Sequence, residues 1–108
     1  MQNDKTYYKR MSQDRIDYPN EVFPFEYHKI QLYSSQNDEG WSVTEVKTGY
    51  RIGNICSTQQ EAENSAREIV DAHGINPTKQ SIKIALANIK QGLIYDVEGK
   101  QWQKPMEV

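Results

Sequence analysis

The chain has 108 residues, a formal net charge of −2 and a hydrophobic fraction of 36%. This length fits one domain with a modest core, and the near-neutral charge excludes a strong general attraction to nucleic acid or anionic lipid. No stretch reaches the length of a membrane span, no export signal is evident, and the lone Cys56 cannot form an internal disulfide. We therefore expect a cytoplasmic protein that does not associate with membranes.

The first 26 residues are predicted to form a partly flexible N-terminal arm. Tyr7, Tyr8 and Met11 are spaced as on one helical turn, so the sequence leaves both a short docked helix and a disordered arm open. Pro19 and Pro24 then favour extended backbone, which suggests a connector.

Three strands are predicted next. Tyr27–Tyr33 alternates, with His28, Ile30 and Leu32 on one face and Tyr27, Lys29, Gln31 and Tyr33 on the other. Trp41–Val46 and Tyr50–Cys56 are rich in aromatic and β-branched residues. The turn between these two strands ends at Gly49, which suits a left-handed conformation. The imperfect alternation of Trp41–Val46 predicts either a bulge near Glu45 or a strand with two apolar faces.

Two helices follow. Thr58 and Glu61 have the spacing of a capping box, and Gly74 suits a helix end. The predicted buried row of this first helix is Ala62, Ala66, Ile69, Val70 and His73. Asn76-Pro77 predicts the start of a second helix that ends near Gly92, with a candidate short strand at Leu93–Val97.

These signals predict a single α+β domain over residues 1–108. Its core is a three-stranded antiparallel meander packed by a helix (residues 27–74), followed by a second C-terminal helix and a tail with a short strand (residues 75–108). The periodicity predicts eight mostly buried residues: Ile30, Leu32, Val43, Ile52, Ile69, Val70, Leu86 and Ile89.

No metal, cofactor or catalytic site is predicted. His28 and His73 are the only histidines, and neither belongs to a pair with metal-ligand spacing. Cys56 has no local partner that would activate it, and Asp38 and Glu39 lie in a loop where carboxylates are ordinarily solvated. A deep pocket that holds a histidine and a carboxylate would instead favour a small enzyme.

Two surfaces are candidates for binding. Tyr27, Lys29, Gln31 and Tyr33 are predicted to form an exposed face that binds another protein or a second copy of the chain, because tyrosine offers a large contact area at low entropic cost. Lys79, Lys83 and Lys90 are spaced by four and seven residues, so they form one helical stripe that could contact nucleic acid. A solvated helix face also explains this stripe.

Two motifs of the chain resemble the layout of HicB-type antitoxin domains: Gly40-Trp41-Ser42-Val43 and Thr58-Gln59-Gln60-Glu61-Ala62. The resemblance covers Tyr27 to His73 and implies a β-β-β-α architecture. The chain departs from that family in having Thr48-Gly49-Tyr50-Arg51 where a proline-glycine-cysteine segment is usual. The resemblance therefore carries over no functional residue.

The leading prediction is a small non-catalytic regulatory module that binds another protein. The first alternative is a nucleic-acid-associated or antitoxin-like regulator, although acidic Glu61 and Glu63 would repel phosphate at the start of the first helix. The second alternative is a small enzyme with an unassigned site.

Overall fold

The computed structural model describes residues 8–12, 15–96 and 101–104. The elements in chain order are β1 (Arg10–Ser12), β2 (Arg15–Asp17), β3 (Phe23–Tyr27), β4 (Ile30–Asn37), β5 (Gly40–Glu45), β6 (Arg51–Cys56), α1 (Gln59–His73), α2 (Ile75–Lys90), β7 (Ile94–Asp96) and β8 (Gln101–Gln103). Strands β3 to β6 form one antiparallel sheet in chain order, and β1–β2 and β7–β8 are separate hairpins. The α+β class, the second helix and the C-terminal strand are confirmed.

The sheet has four strands instead of the predicted three, because the chain turns within the segment predicted as the first strand. His28 and Lys29 have φ values of 51° and 67°. Two consecutive left-handed residues are what a two-residue type I′ turn requires. Tyr27 consequently ends β3 and lies opposite Ile30 at the start of β4. The supposed connector around Pro24 is an edge strand, where a proline is tolerated.

The N-terminal segment also differs from its prediction as a helix or a disordered arm. Residues 10–12 and 15–17 pair as an antiparallel hairpin. The Arg10 guanidinium donates to both carboxylate oxygens of Asp17, at 2.9 and 3.0 Å. Tyr7, the first member of the predicted helical turn, lies outside the described residues.

The main core lies between α1 and the inner face of the sheet. Six fully or almost fully buried residues form it: Ile30, Leu32, Val43, Ala62, Ala66 and Val70. The prediction that eight residues are mostly buried is confirmed for seven of them. Ile30, Leu32, Val43 and Val70 are fully or almost fully buried, and Ile52, Leu86 and Ile89 are partly buried. The prediction for Ile69 is wrong, since 48% of its surface is exposed. The buried row of α1 consists of Ala62, Ala66 and Val70, which are spaced by four residues. Ile69 and His73 lie outside this row.

The β5–β6 pair contains a bulge, but it lies in β6 opposite Ser42 and not near Glu45, where the sequence had suggested one. Val43 pairs with Ile52 and Trp41 pairs with Cys56, so three residues of β6 lie opposite Ser42 alone. Gly53 takes a φ of 86° at this bulge. A Cβ atom at Gly53 would lie 2.8 Å from Ser65 Oγ and 3.0 Å from the backbone nitrogen of Ala66. The absence of a side chain at Gly53 therefore lets α1 approach β6 closely.

The ends of α1 follow the prediction, whereas the start of α2 does not. The backbone N–H of Glu61 donates to Thr58 Oγ1 at 3.1 Å, and the N–H of Gly74 donates to the Val70 carbonyl. Hydrogen bonds from the Ser57 and Thr58 hydroxyls lower the pKa of Glu61. Because the Thr78 N–H donates to the Gly74 carbonyl, α2 begins at Ile75, two residues before the predicted start. Pro77 lies in the first turn, where no intrahelical donor is needed.

The outer face of the sheet is polar and is covered by the N-terminal segment. Tyr33, Ser35, Ser42 and Thr44 lie on this face and are at most 5% exposed. The Tyr33 hydroxyl donates to the Lys9 carbonyl at 2.7 Å, and the Met11 N–H donates to the Gly49 carbonyl at 2.7 Å. In the described ranges, no helix is long and apolar enough to cross a membrane.

The close contact at Gly53 gives a stability prediction. Gly53→Ala should lower the free energy of unfolding by about 3 kcal/mol, because the new methyl group meets α1 and the backbone conformation disfavours a side chain. Gly92 is a matched control, since it also has a positive φ but has open space around it. Gly92→Ala should lower the free energy by only about 1 kcal/mol. Equal losses in urea denaturation would show that α1 does not depend on Gly53.

Candidate binding site

The four residues predicted to share one exposed face, Tyr27, Lys29, Gln31 and Tyr33, are separated by the structure. Tyr27 lies on the helix side of β3, and Tyr33 is completely buried on the opposite face. Lys29 lies in the β3–β4 turn, and Gln31 at the start of β4 is exposed. The predicted common face is therefore wrong: Lys29 and Gln31 are exposed, Tyr27 is half-buried on the other face, and Tyr33 is inaccessible.

Tyr27 joins the edge strand to α1. Its hydroxyl donates to the two carboxylate oxygens of Asp71, at 2.8 and 2.9 Å. The hydrogen bond with Asp71 raises the pKa of the Tyr27 phenol. The Arg67 guanidinium lies 5.2 Å from the centroid of the Phe25 ring and 6.0 Å from that of Tyr27, within the range of cation–π attraction. This cluster stabilises the packing of β3 on α1.

The predicted lysine stripe on α2 borders a groove at one end of the sheet. Lys79 and Lys83 line its α2 side, and Lys29 and Lys47 line its other side. The apolar residues Ile30, Ile82 and Leu86 lie between these lysines. We call this feature, with a volume of about 230 Å³, the lysine groove. Lys90 lies farther along α2 and does not line the groove.

The lysine groove thus combines residues that the sequence had assigned to two different surfaces. Lys29 and Gln31 come from the predicted protein-binding face, and Lys79 and Lys83 come from the predicted nucleic-acid stripe. Lys47 was missed by the sequence reasoning. Its turn was predicted, but the sequence did not show that α2 crosses this end of the sheet.

A buried carboxylate fixes the loop that carries Lys47. Glu45 is only 2% exposed, and its side chain accepts from the N–H groups of Lys47 and Thr48, each at 2.8 Å. The Thr48 hydroxyl donates to the same carboxylate at 2.7 Å. Hydrogen bonds of this kind compensate for burial of the charged group. The backbone of Lys47 is therefore held in place while its side chain stays exposed.

The electrostatic balance of the lysine groove is positive. The sequence of α2 contains three lysines and no acidic residue. Among the described residues, Glu45 is the one carboxylate that lines the groove, and it accepts hydrogen bonds from its own loop. The two ion pairs found in the described part of the chain, Arg10–Asp17 and Arg67–Glu63, involve none of these lysines. The groove therefore offers several cationic donors to an anionic ligand.

A second cavity tests the enzyme alternative. An apolar cleft of about 270 Å³ between α1, α2 and β6 is lined by both His73 and Glu45. The Glu45 carboxylate is engaged by Lys47 and Thr48, so it is not available to orient the imidazole. Ser81 Oγ lies 3.5 Å from His73 Nε2, which is long for a hydrogen bond. Within the described ranges, no group of three or more His, Cys, Asp and Glu side chains could hold a metal ion.

A third cavity lies on the other side of α2. This groove of about 660 Å³ is lined by Tyr50, Tyr95 and Trp102, together with Ile84 of α2. The ring of Trp102 contacts those of Tyr50 and Tyr95 edge-on, with centroid distances of 5.8 and 5.4 Å. These contacts join the β7–β8 hairpin to the start of β6. The three aromatic residues therefore have a structural role, since their rings pack against one another.

The different environments of the two tyrosines can be tested by matched substitutions. Tyr33→Ser should lower the free energy of unfolding by about 4 kcal/mol, because it leaves a cavity beneath the N-terminal segment. Tyr27→Ser should lower it by about 1 kcal/mol, since that ring is only half-buried. Urea denaturation of both variants gives the comparison, and similar losses would contradict the burial of Tyr33.

Comparison of the chain with protein-family models, with curated proteins and with solved structures found no match.

Proposed function

We propose that this protein is a non-catalytic binding module whose lysine groove binds an acidic, partly apolar segment of another protein. The observation that supports the proposal is the grouping of four lysines from three separate elements around an apolar floor. Like charges that lie this close repel one another, and a partner that carries carboxylates relieves the repulsion. The apolar floor in turn favours a partner that also carries aliphatic side chains.

The packing of α2 supports the same proposal. Among the α2 residues whose burial is described, only Thr78 is buried. Ile82, Leu86 and Ile89 are half-buried, so part of the apolar side of the helix stays in contact with water. Most of the stability of a helix in a protein comes from packing of its apolar face. A partner segment over Ile82 and Leu86 would complete this packing.

Nucleic acid fits the groove less well than an acidic peptide. In the part of the chain that the structure describes, neither an arginine nor an aromatic ring lines the groove. Arginine gives bidentate phosphate contacts, and aromatic rings provide the stacking on which single-stranded nucleic acid binding depends. The floor of Ile30, Ile82 and Leu86 offers no donor to a phosphate. The nucleic-acid or antitoxin-like alternative, based on Lys79, Lys83 and Lys90, is therefore ranked second.

A peptide-display selection tests the proposal and does not require the partner to be identified. Random 16-residue peptides, a length of about four helical turns, are selected on the wild-type protein. We expect enrichment of peptides that combine Asp or Glu with Leu, Ile or Phe. Affinities of the enriched peptides are then measured by fluorescence anisotropy for wild type, Lys83→Glu and Lys104→Glu. Lys104 is an exposed lysine outside the groove, so its reversal changes the net charge equally.

The expected result is a loss of affinity of about tenfold for Lys83→Glu, equivalent to about 1.4 kcal/mol, with little change for Lys104→Glu. Failure to enrich any acidic and apolar peptide would overturn the proposal, as would equal effects of the two variants. A single-stranded RNA of mixed sequence is measured in parallel. If RNA binds more tightly than the peptides, and Lys83→Glu abolishes that binding, the nucleic-acid alternative is correct instead.

A further inference from the structure

We infer that the acidic segment binds as an α-helix that lies along α2, and that Lys90 extends the site beyond the lysine groove. This inference rests on the proposed function, and it adds the conformation of the partner. It depends on two parallel rows of side chains on α2, one apolar and one basic.

The two rows run side by side along α2, the basic row next to the half-buried apolar row. The apolar row contains Ile82, Leu86 and Ile89, and the basic row contains Lys79, Lys83 and Lys90. At the rotation of an α-helix, these lysines fall within about 40° of one another around the axis. The distance along the axis from Lys79 to Lys90 is about 16 Å, or three turns. The basic row is therefore longer than the groove itself.

A partner helix matches the spacing of all three lysines. Because both helices rise by the same amount per residue, acidic residues at positions i, i+4 and i+11 of a parallel partner, or i, i+7 and i+11 of an antiparallel one, meet Lys79, Lys83 and Lys90. The aliphatic residues between those acids face Ile82, Leu86 and Ile89. Apolar rows flanked by complementary charges are the pattern by which paired helices recognise each other.

An extended strand does not match this spacing. Side chains on one face of a strand repeat at about 6.6 Å, so a strand carboxylate that meets Lys79 can have its neighbour near Lys83. At a distance of about 16 Å, however, the nearest strand residue is the fifth one along, which points to the opposite face. Lys90 therefore distinguishes a helical partner from an extended one.

The opposite side of the groove sets a further requirement on the partner. Lys29 and Lys47 lie across the groove from α2, on two turns at the end of the sheet. A segment seated between these sides meets lysines on both flanks. The partner helix should therefore carry acidic residues on both edges of its apolar stripe, as the e and g positions of a heptad repeat provide.

A designed peptide tests this inference directly. The probe is a 21-residue peptide of three heptads, with leucine at positions a and d and glutamate at positions c, e and g, so that glutamates at c, the following g and the next g have the spacing i, i+4 and i+11. Its matched control has the same sequence except for one proline at a central, outward-facing position. Binding to wild type and to the variants Lys83→Glu, Lys90→Glu and Lys104→Glu is measured by fluorescence anisotropy, and thermal melting verifies that each variant is folded.

We expect both Lys83→Glu and Lys90→Glu to weaken binding of the helical peptide by about tenfold, while Lys104→Glu has little effect. The proline peptide should bind at least tenfold more weakly than the helical peptide, because proline breaks the helix. If Lys83→Glu weakens binding but Lys90→Glu and the proline do not, the partner is extended. That result would overturn the helix inference and leave the proposed function standing. If neither variant differs from Lys104→Glu, both are overturned.

Discussion

The close approach of α1 to β6 is the contact on which the helix side of the molecule depends. Gly53 of β6 lies directly beside Ser65 and Ala66 of α1, so three small residues meet where the helix and the strand come together. The position of α1 determines where Gly74 stands and therefore where α2 starts. Because α2 then passes one end of the sheet, Lys79 and Lys83 come to lie across from Lys29 and Lys47. A backbone contact in the core thus sets the geometry of a charged surface groove.

The two faces of the sheet are stabilised by different chemistry. The inner face is aliphatic and packs on α1, so its stability comes mainly from the hydrophobic effect. The outer face presents the hydroxyl groups of Ser35, Ser42 and Thr44 and one buried aromatic ring, that of Tyr33. Burial raises the pKa of the Tyr33 phenol, as expected for a group removed from water. The N-terminal segment over this face is held in part by polar contacts, such as the hydrogen bond from the Tyr33 hydroxyl to the Lys9 carbonyl.

Local signals in the sequence predicted the elements better than they predicted contacts between them. The helix from Thr58 to Gly74 and the left-handed Gly49 were predictable, because each depends on residues within a few positions. The turn at His28-Lys29 was missed, since neither residue is a usual left-handed turn former and the surrounding alternation suits a continuous strand. Periodicity could not show that Ile69 faces an open cleft, because that depends on where α2 packs.

The same limit applies to the candidate site. The basic row on α2 was visible in the sequence, as the spacing of Lys79, Lys83 and Lys90 depends on one helix alone. Lys29 and Lys47 lie on separate turns, and their proximity to α2 depends on the order of strands in the sheet. No pattern within one segment could have joined these residues, so the groove required the tertiary structure.

The covering of the outer face has a consequence for how the chain folds as it is synthesised. The Lys9 carbonyl accepts a hydrogen bond from the Tyr33 hydroxyl, and these two residues are 24 positions apart in the chain. Met11 forms a hydrogen bond with Gly49, which lies still farther along the chain. At ordinary elongation rates, the first of these contacts must wait about 1–5 s after Lys9 is added to the chain. The β1–β2 hairpin is therefore synthesised before the β3–β6 sheet, but it can pack on that sheet only after the sheet has emerged from the ribosome.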